Sequence, residues 1–150
     1  MNNFVDLKLI DKGDFYDIAF DESGDFLTTN TLETAFITSL FTNKRATATE
    51  VPSAYLRGGW WGNLFMPTPQ GSKMWLAHQA VSNAATLTSV ISYAQDALQW
   101  MIDQEYADTI NVTGSNNRGK IALKISVIKN GSKITEKVYN LWQNTLREFS

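Results

Sequence analysis

The segment Gly114-Ser115-Asn116-Asn117-Arg118-Gly119-Lys120 satisfies the G-x-x-x-x-G-K spacing of a phosphate-binding loop, in which backbone amides and a lysine grip phosphates at a helix N-terminus. Ile121 then stands where a magnesium-binding Ser or Thr is required, and the residues beyond it alternate as a strand does, so a polar hairpin connection is the better reading. The single His78, three residues after Trp75 in a helical stretch, has no serine in a nucleophile-elbow context to serve and reads as a helix-surface or capping residue. With no cysteine there is no disulfide, thiolate metal site or thiol nucleophile, and one imidazole leaves almost nothing for zinc or triad chemistry. Glu33, Glu50, Asp103 and Glu105 are the carboxylates that could meet in space for glycoside hydrolysis, yet Glu33 falls in a helix first turn, where the macrodipole alone favours an acid. No catalytic pair stands out, and neither a cofactor nor a metal is expected.

The oddest segment is Arg57-Gly58-Gly59-Trp60-Trp61-Gly62, two adjacent indoles framed by glycines. Trp is enriched at recognition hot spots, and aromatic loops stack on sugars or bases. The competing reading folds at least one indole back as a lid on the core, because large aromatics gain most from burial.

The elements that must carry these residues follow from periodicity. From Asp6 to Thr29, Leu7/Leu9 and Tyr16/Ile18/Phe20 alternate between Asp11-Lys12-Gly13-Asp14 and Asp21-Glu22-Ser23-Gly24-Asp25, which predicts a small antiparallel meander with acid-rich turns. The second of these lacks the alternating ligands and distal Glu of an EF-hand, so turn chemistry explains it better than calcium. Thr31 is placed to cap a helix whose Leu32, Phe36, Ile37, Leu40 and Phe41 line one face. Residues 46–69 have no sustained period and hold three of the nine glycines and all three prolines, so they form a long loop of the kind that tends to be functional. A short helix opens after Gly71-Ser72 and runs through Met74, Trp75, Leu76 and Ala80. A longer helix spans Ala84 to Tyr106 on the stripe Leu87, Val90, Ile91, Ala94, Ala97, Leu98, Met101 and Ile102, which is ordinary core spacing. Ile110-Asn111-Val112 starts a strand, Ile121/Leu123/Ile125/Val127 alternates strictly, and Asn130-Gly131 is the strongest short hairpin signal. The return strand runs from about Lys133 to Leu141 and passes into a short terminal helix or tail. The expected class is α+β: a small antiparallel sheet with two to three helices packed on it and a C-terminal β-hairpin, in one domain over residues 1–150.

Composition narrows the partners. The chain has 150 residues, 13 basic and 15 acidic, for a net charge of -2, which gives no cationic surface for nucleic acid. No apolar run reaches the length of a bilayer span and no signal peptide opens the chain, so a membrane partner is not expected and the product is expected to stay in the cytoplasm in which it is made. The sequon Asn111-Val112-Thr113 is then a chance match. Charge is nonetheless divided: residues 1–33 hold eight acids and two bases, residues 110–150 seven bases and two acids, -6 against +5. Such asymmetry can orient copies of a protein or steer partners of opposite sign to opposite faces.

Four motifs, Leu40-Phe41-Thr42-Asn43-Lys44-Arg45-Ala46, Arg57-Gly58-Gly59-Trp60-Trp61-Gly62, Gly71-Ser72-Lys73-Met74-Trp75-Leu76 and Ala97-Leu98-Gln99-Trp100-Met101-Ile102-Asp103, together resemble the Mu-like phage baseplate protein family, related to the baseplate wedge and sheath-initiator proteins of contractile tails. The ordered motifs span residues 31 to 108. The resemblance implies a non-enzymatic structural protein of the virion tail, joined to inner tail tube or hub proteins and to wedge proteins, serving as the platform for the first ring of tail sheath protein, in multiple copies around the sixfold axis. In wider relatives an Arg at the end of the first helix belongs to a Glu-Pro-Arg-like motif; Arg45 looks like its counterpart, with Asn43-Lys44 replacing the preceding pair.

A sheath platform offers incoming subunits a sheet edge, since main-chain hydrogen bonds make few sequence demands. The C-terminal hairpin is the expected edge, around Lys124, Ile125 and Lys137, where Lys120, Lys124, Lys129, Lys133 and Lys137 discourage self-pairing and attract an acidic strand. Arg45, Arg57, Trp60 and Trp61 are expected to face wedge or tube proteins. The alternative function is a glycan-binding or cell-wall-degrading, lysozyme-like tail component, which the Trp loop and scattered carboxylates would serve.

Overall fold

The apolar alternations of the acid-rich N-terminal stretch pair as two antiparallel ribbons, β1 (Asp6–Leu7) with β4 (Thr28–Thr29) and β2 (Leu9–Asp11) with β3 (Tyr16–Ile18). Lys8 ties them together: its N–H donates to Leu27 O at 2.8 Å and its carbonyl accepts from Ala19 N at 2.9 Å. The acidic turn is closed by one carboxylate, Asp21, whose Oδ1 accepts from Ser23 N at 2.8 Å, Ser23 Oγ at 2.6 Å and Asp25 N at 3.0 Å. The carboxylate of Asp21 is therefore occupied as a turn clasp, and the Ser23 hydroxyl foremost holds its pKa below the ordinary value. Phe20 and Phe26 face each other across this turn as a bridge pair, their ring centroids 5.3 Å apart.

The structure, a computed structural model, describes residues 6–12, 16–29, 32–78, 83–118 and 120–142. The chain is α+β and falls into two compact units, residues 1–38 and 39–150. Helix α1 (Glu33–Phe41) buries Leu32, Phe36, Ile37 and Leu40, the three-four stripe of the sequence, while Phe41 stays exposed and sets its ring edge-on to Tyr139 at 5.9 Å. The cap expected at Thr31 lies outside the described residues. Helix α2 covers Met74–His78; the expected extension to Ala80 also falls outside.

Helix α3 (Ala84–Asp103) starts at Asn83, whose side chain accepts from Thr86 N at 2.9 Å, and buries Val90, Ala94, Leu98 and Met101 completely. It stops at Asp103 instead of continuing to Tyr106. Glu105 turns to φ 63, its N–H donates to Ile102 O at 3.0 Å, and Tyr106 N donates to Met101 O at 2.8 Å, the paired bonds of a Schellman ending. Tyr106 completes it by packing edge-on against Trp100 at 5.8 Å.

Strands β5 (Thr109–Asn117), β6 (Lys120–Lys129) and β7 (Ser132–Trp142) form an antiparallel sheet in the order β5-β6-β7. On β6, Ile121, Leu123, Ile125 and Val127 are at most 1% exposed, and α3 crosses β5 so closely that a Cβ on Gly114 would lie 2.8 Å from Leu87 Cδ1. Asn130 and Gly131 adopt φ 51 and 75, the two positive angles of a type I′ hairpin. Asp108 clamps that turn, accepting from Asn130 N at 2.7 Å and pairing with Lys129 Nζ at 3.3 Å, while the same ammonium reaches Glu105 O at 2.8 Å. The end of α3 and the hairpin tip are thus one hydrogen-bonded knot. The terminal helix or tail expected after β7 lies outside the described residues, among which no helix is long and apolar enough to cross a membrane.

Candidate functional site

Residues 42–73 link α1 to α2 with two single 3-10 turns, Ala54–Leu56 and Trp61–Phe65, and no strand ladder beyond one bridge, Asn43 with Ser72. A loop of this length needs partners for its backbone carbonyls, and arginine side chains supply them. Arg45 donates from Nη2 to Ala54 O at 2.9 Å and from Nη1 to Gly58 O at 3.1 Å. Arg57 donates from Nε to Val51 O and from Nη2 to Pro52 O, both at 2.8 Å. Neither guanidinium meets a carboxylate among the described residues, so the loop is clasped and keeps both positive charges.

The base of the loop is fastened at Gly71 and Ser72. Ser72 N donates to Thr42 O at 2.8 Å, Lys44 N donates to Ser72 O at 2.9 Å, and the Ser72 hydroxyl donates to Leu40 O. Trp75 turns its indole inward, Nε1 donating to Lys44 O at 2.8 Å, and Gly58 sits against its ring, where a Cβ would come within 3.1 Å. Asn63 and Gln70 exchange two bonds across the far side, Asn63 Nδ2 to Gln70 O at 2.9 Å and Gln70 N to Asn63 Oδ1 at 2.8 Å. Thr47 and Glu50 close a reciprocal box: Glu50 Oε2 accepts from Thr47 N at 2.8 Å, and Glu50 N donates to Thr47 Oγ1 at 3.3 Å. The Thr47 backbone N–H on its carboxylate first, and Lys73 at 3.0 Å second, lower the Glu50 pKa. The spacing Thr47-x-x-Glu50 was a visible sequence signal for this box.

On this scaffold the two expected indoles behave differently from a core lid. Trp60 packs its ring against Gly62, where a Cβ would lie 2.3 Å away, and remains 39% exposed; Trp61 is 72% exposed. Among the described side chains, the indoles turned inward are Trp75 and Trp100, the latter donating to Ser39 Oγ at 2.9 Å. Around Trp61 stand Leu64 and Phe65, at least four-fifths exposed, with Tyr55 and Leu56 also outward. Trp61 meets Phe65 edge-on at 6.2 Å. Between Lys44, Arg45, Trp60, Trp61, Leu64 and Pro69 lies an open groove of about 430 Å³. Exposed apolar side chains concentrated on one cationic loop are the mark of a surface that another molecule covers.

The residues expected to form the sheet edge separate. Ile125 lies in the central strand, fully buried and opposite Val112 on one side and Lys137 on the other, so it cannot offer an edge; this corrects the expectation, which failed because alternation reveals a strand but not its neighbours. Lys124 is on the same strand, exposed, and pairs with Glu136 at 3.3 Å. Lys133 also holds Glu136, at 2.6 Å, and Lys129 is taken up by Asp108, so these three lysines serve the hairpin itself. Lys137 is on β7, an outer strand of the sheet. Of the four carboxylates, Glu33 opens α1, Glu50 closes the Thr47 box, Asp103 accepts from Gln99 Nε2 at 3.1 Å and Glu105 ends α3, each engaged in a separate local structure. Of the phosphate-loop-like motif, Gly114 to Asn117 lie in β5, Arg118 turns at φ 52 and Lys120 opens β6.

A family model described as Phage protein GP46 matches residues 32–133, which takes in α1, the clasped loop and most of the sheet. A baseplate protein of Escherichia phage Mu, gp46, is 33% identical over 134 residues, 87% of this chain and 92% of that protein. A Mu-like prophage FluMu protein gp46 of Haemophilus influenzae is 33% identical over 95 residues, 63% of this chain and 64% of that protein.

Proposed function

Because this chain belongs to the GP46 family of Mu-like phage baseplate proteins, we propose that it is a structural, non-enzymatic component of a contractile tail baseplate, linking inner tube and wedge proteins and offering the first sheath ring its platform. It would reside in the virion tail. The observation that carries the sheath role is β7: an eleven-residue strand paired to β6 on one side and, among the described residues, to no strand on the other. Such an edge presents main-chain donors and acceptors in register for an added strand. Ile134 and Val138, both exposed on β7, supply apolar contact for the incoming strand, and Lys137 on the same strand discourages pairing of the edge with its like. The outer part of the clasped loop, where Tyr55, Leu56 and Phe65 are exposed and do not line the Trp60–Trp61 groove, is the second contact surface, fit for a wedge or tube protein.

Adjacent residues of a strand aim their N–H groups to opposite sides, so Lys137→Pro and Val138→Pro each delete a bond on one side only. The substitution that keeps the native far-UV spectrum is expected to block sheath assembly on baseplates that carry it. Normal sheath assembly on that well-folded variant would remove β7 from the sheath contact. Purified protein is expected to leave a peptidoglycan suspension turbid; clearing would replace this reading with the lysozyme-like one.

A further inference from the structure

The first unit carries an apolar knob. Phe20 and Phe26 stack at the ends of the Asp21–Asp25 turn, 57% and 53% exposed, with Glu22 and Asp25 of that turn also exposed. The second unit carries a socket, the groove walled by Trp60, Trp61, Leu64 and Pro69 and flanked by Lys44 and Arg45. We propose that the Phe20–Phe26 turn of one copy of this chain docks into the Trp60–Trp61 groove of a second copy, head to tail.

Size, chemistry and charge each match. A cavity of roughly 150 Å³ takes one benzene ring, so two rings need roughly 300 Å³, within the groove's 430 Å³. Phenyl rings against indoles and Leu64 make an aromatic contact, with edge-on and offset stacking available on both sides. The acids of the turn would meet Arg45, whose guanidinium is held by Ala54 and Gly58 carbonyls and so keeps its full charge. Asp21 is spent on the turn, which leaves Glu22 and Asp25 as the acids that face a partner. Because knob and socket are different surfaces, the contact is heterologous and can repeat from copy to copy. The patch is small, so association is weak and concentration-dependent.

Sedimentation of the intact chain over a concentration series tests this without any other tail protein. The weight-average mass is expected to rise above the 16.8 kDa of one chain and to fall back as salt is added. Phe20→Ser with Phe26→Ser, or Trp61→Ser with Leu64→Ser, should each weaken self-association at least about tenfold with an unchanged far-UV spectrum. Mixing the two double variants should restore a complex that stops at two chains, since one intact knob meets one intact socket. Glu22→Lys with Asp25→Lys, which leaves the Asp21 clasp in place, should weaken association at low salt and match the wild type at high salt; it decides the matter if a serine variant loses its fold. A monomer at every concentration, an association that ignores these substitutions, or a mixture that stays monomeric would overturn the proposal.

Discussion

Gly71→Ala offers a quantitative test of how the loop over residues 42–73 is anchored. Gly71 sits at φ 108, and a Cβ there would lie 2.4 Å from Thr42 O and 3.2 Å from Lys44 N. The left-handed backbone alone costs an alanine about 1–2 kcal/mol. The oxygen cannot stay where it is, yet it accepts the Ser72 N–H, and the next bond of the same bridge is Lys44 N to Ser72 O. Losing both adds about 1–3 kcal/mol at about 0.5–1.5 kcal/mol each, so the whole change is about 2–5 kcal/mol. Gly131→Ala is the control: φ 75, nothing within 4 Å of its Cβ, and so only the backbone cost of about 1–2 kcal/mol. Urea unfolding of the three proteins, followed by tryptophan fluorescence, reads the difference, because Trp75 is bonded to the backbone beside the bridge. If Gly71→Ala loses no more stability than Gly131→Ala, the bridge at Thr42 and Ser72 does not hold the loop and the reasoning fails.

Glu105→Gly should raise stability by about 0.5–1 kcal/mol in the same assay, because the Schellman ending of α3 places a side chain at φ 63 while its bonds are made by the backbone. Arg57→Lys keeps the charge but cannot reproduce the fork to Val51 and Pro52; a loss of about 1–2 kcal/mol is expected, and equal stability would show that the fork is dispensable. Lys133, then Lys124 and Ser126, hold the Glu136 carboxyl down to about 2 from an ordinary 4.5. A depressed carboxylate stabilises the fold above its unfolded pKa and loses that contribution as pH falls toward the folded one. Wild type and Glu136→Gln should therefore differ above about pH 4.5 and converge toward about pH 2; parallel profiles would mean that the lysine pair does not stabilise the hairpin.

Where local rules decide the outcome, the sequence sufficed. The Asn130-Gly131 hairpin, the three-four stripe of α3, the alternation of β6 and the helix ending at Phe41 each depend on residues within one element, and each is present as expected. Ile134, Val138 and Leu141 fit helical spacing as well, and the ladder with β6 settles them as strand. Sheet order was not legible, because β5 pairs with β6 through a register that no periodicity encodes, and that pairing is what turns Ile125 from edge to centre. The α3 boundary was missed for the opposite reason: Glu105 in a left-handed conformation carries no sequence signature where glycine is the usual choice. Arg45 reads as a contact residue through the resemblance and Arg57 through its place in the Trp60–Trp61 motif, whereas their bonds to loop carbonyls follow only from a chain path that composition does not reveal.

Those carbonyl bonds bear on function as well as on stability. A loop that merely joined α1 to α2 could satisfy its backbone with water, and it would gain nothing from holding Trp61, Leu64 and Phe65 outward. Here two guanidiniums, the Asn63–Gln70 exchange and the Thr47–Glu50 box fix the path of the chain while its largest apolar side chains remain uncovered. Ordering a loop before it meets a partner removes that entropic cost from the binding step, and the indoles, with few rotatable bonds, lose little more on contact. Bonding the arginines to neutral carbonyls instead of carboxylates also leaves the surface cationic, which favours an acidic rim on whatever covers it. If the loop is the proposed contact surface, the residues that hold it also set its selectivity, by shape through the backbone they clasp and by sign through the charge they retain.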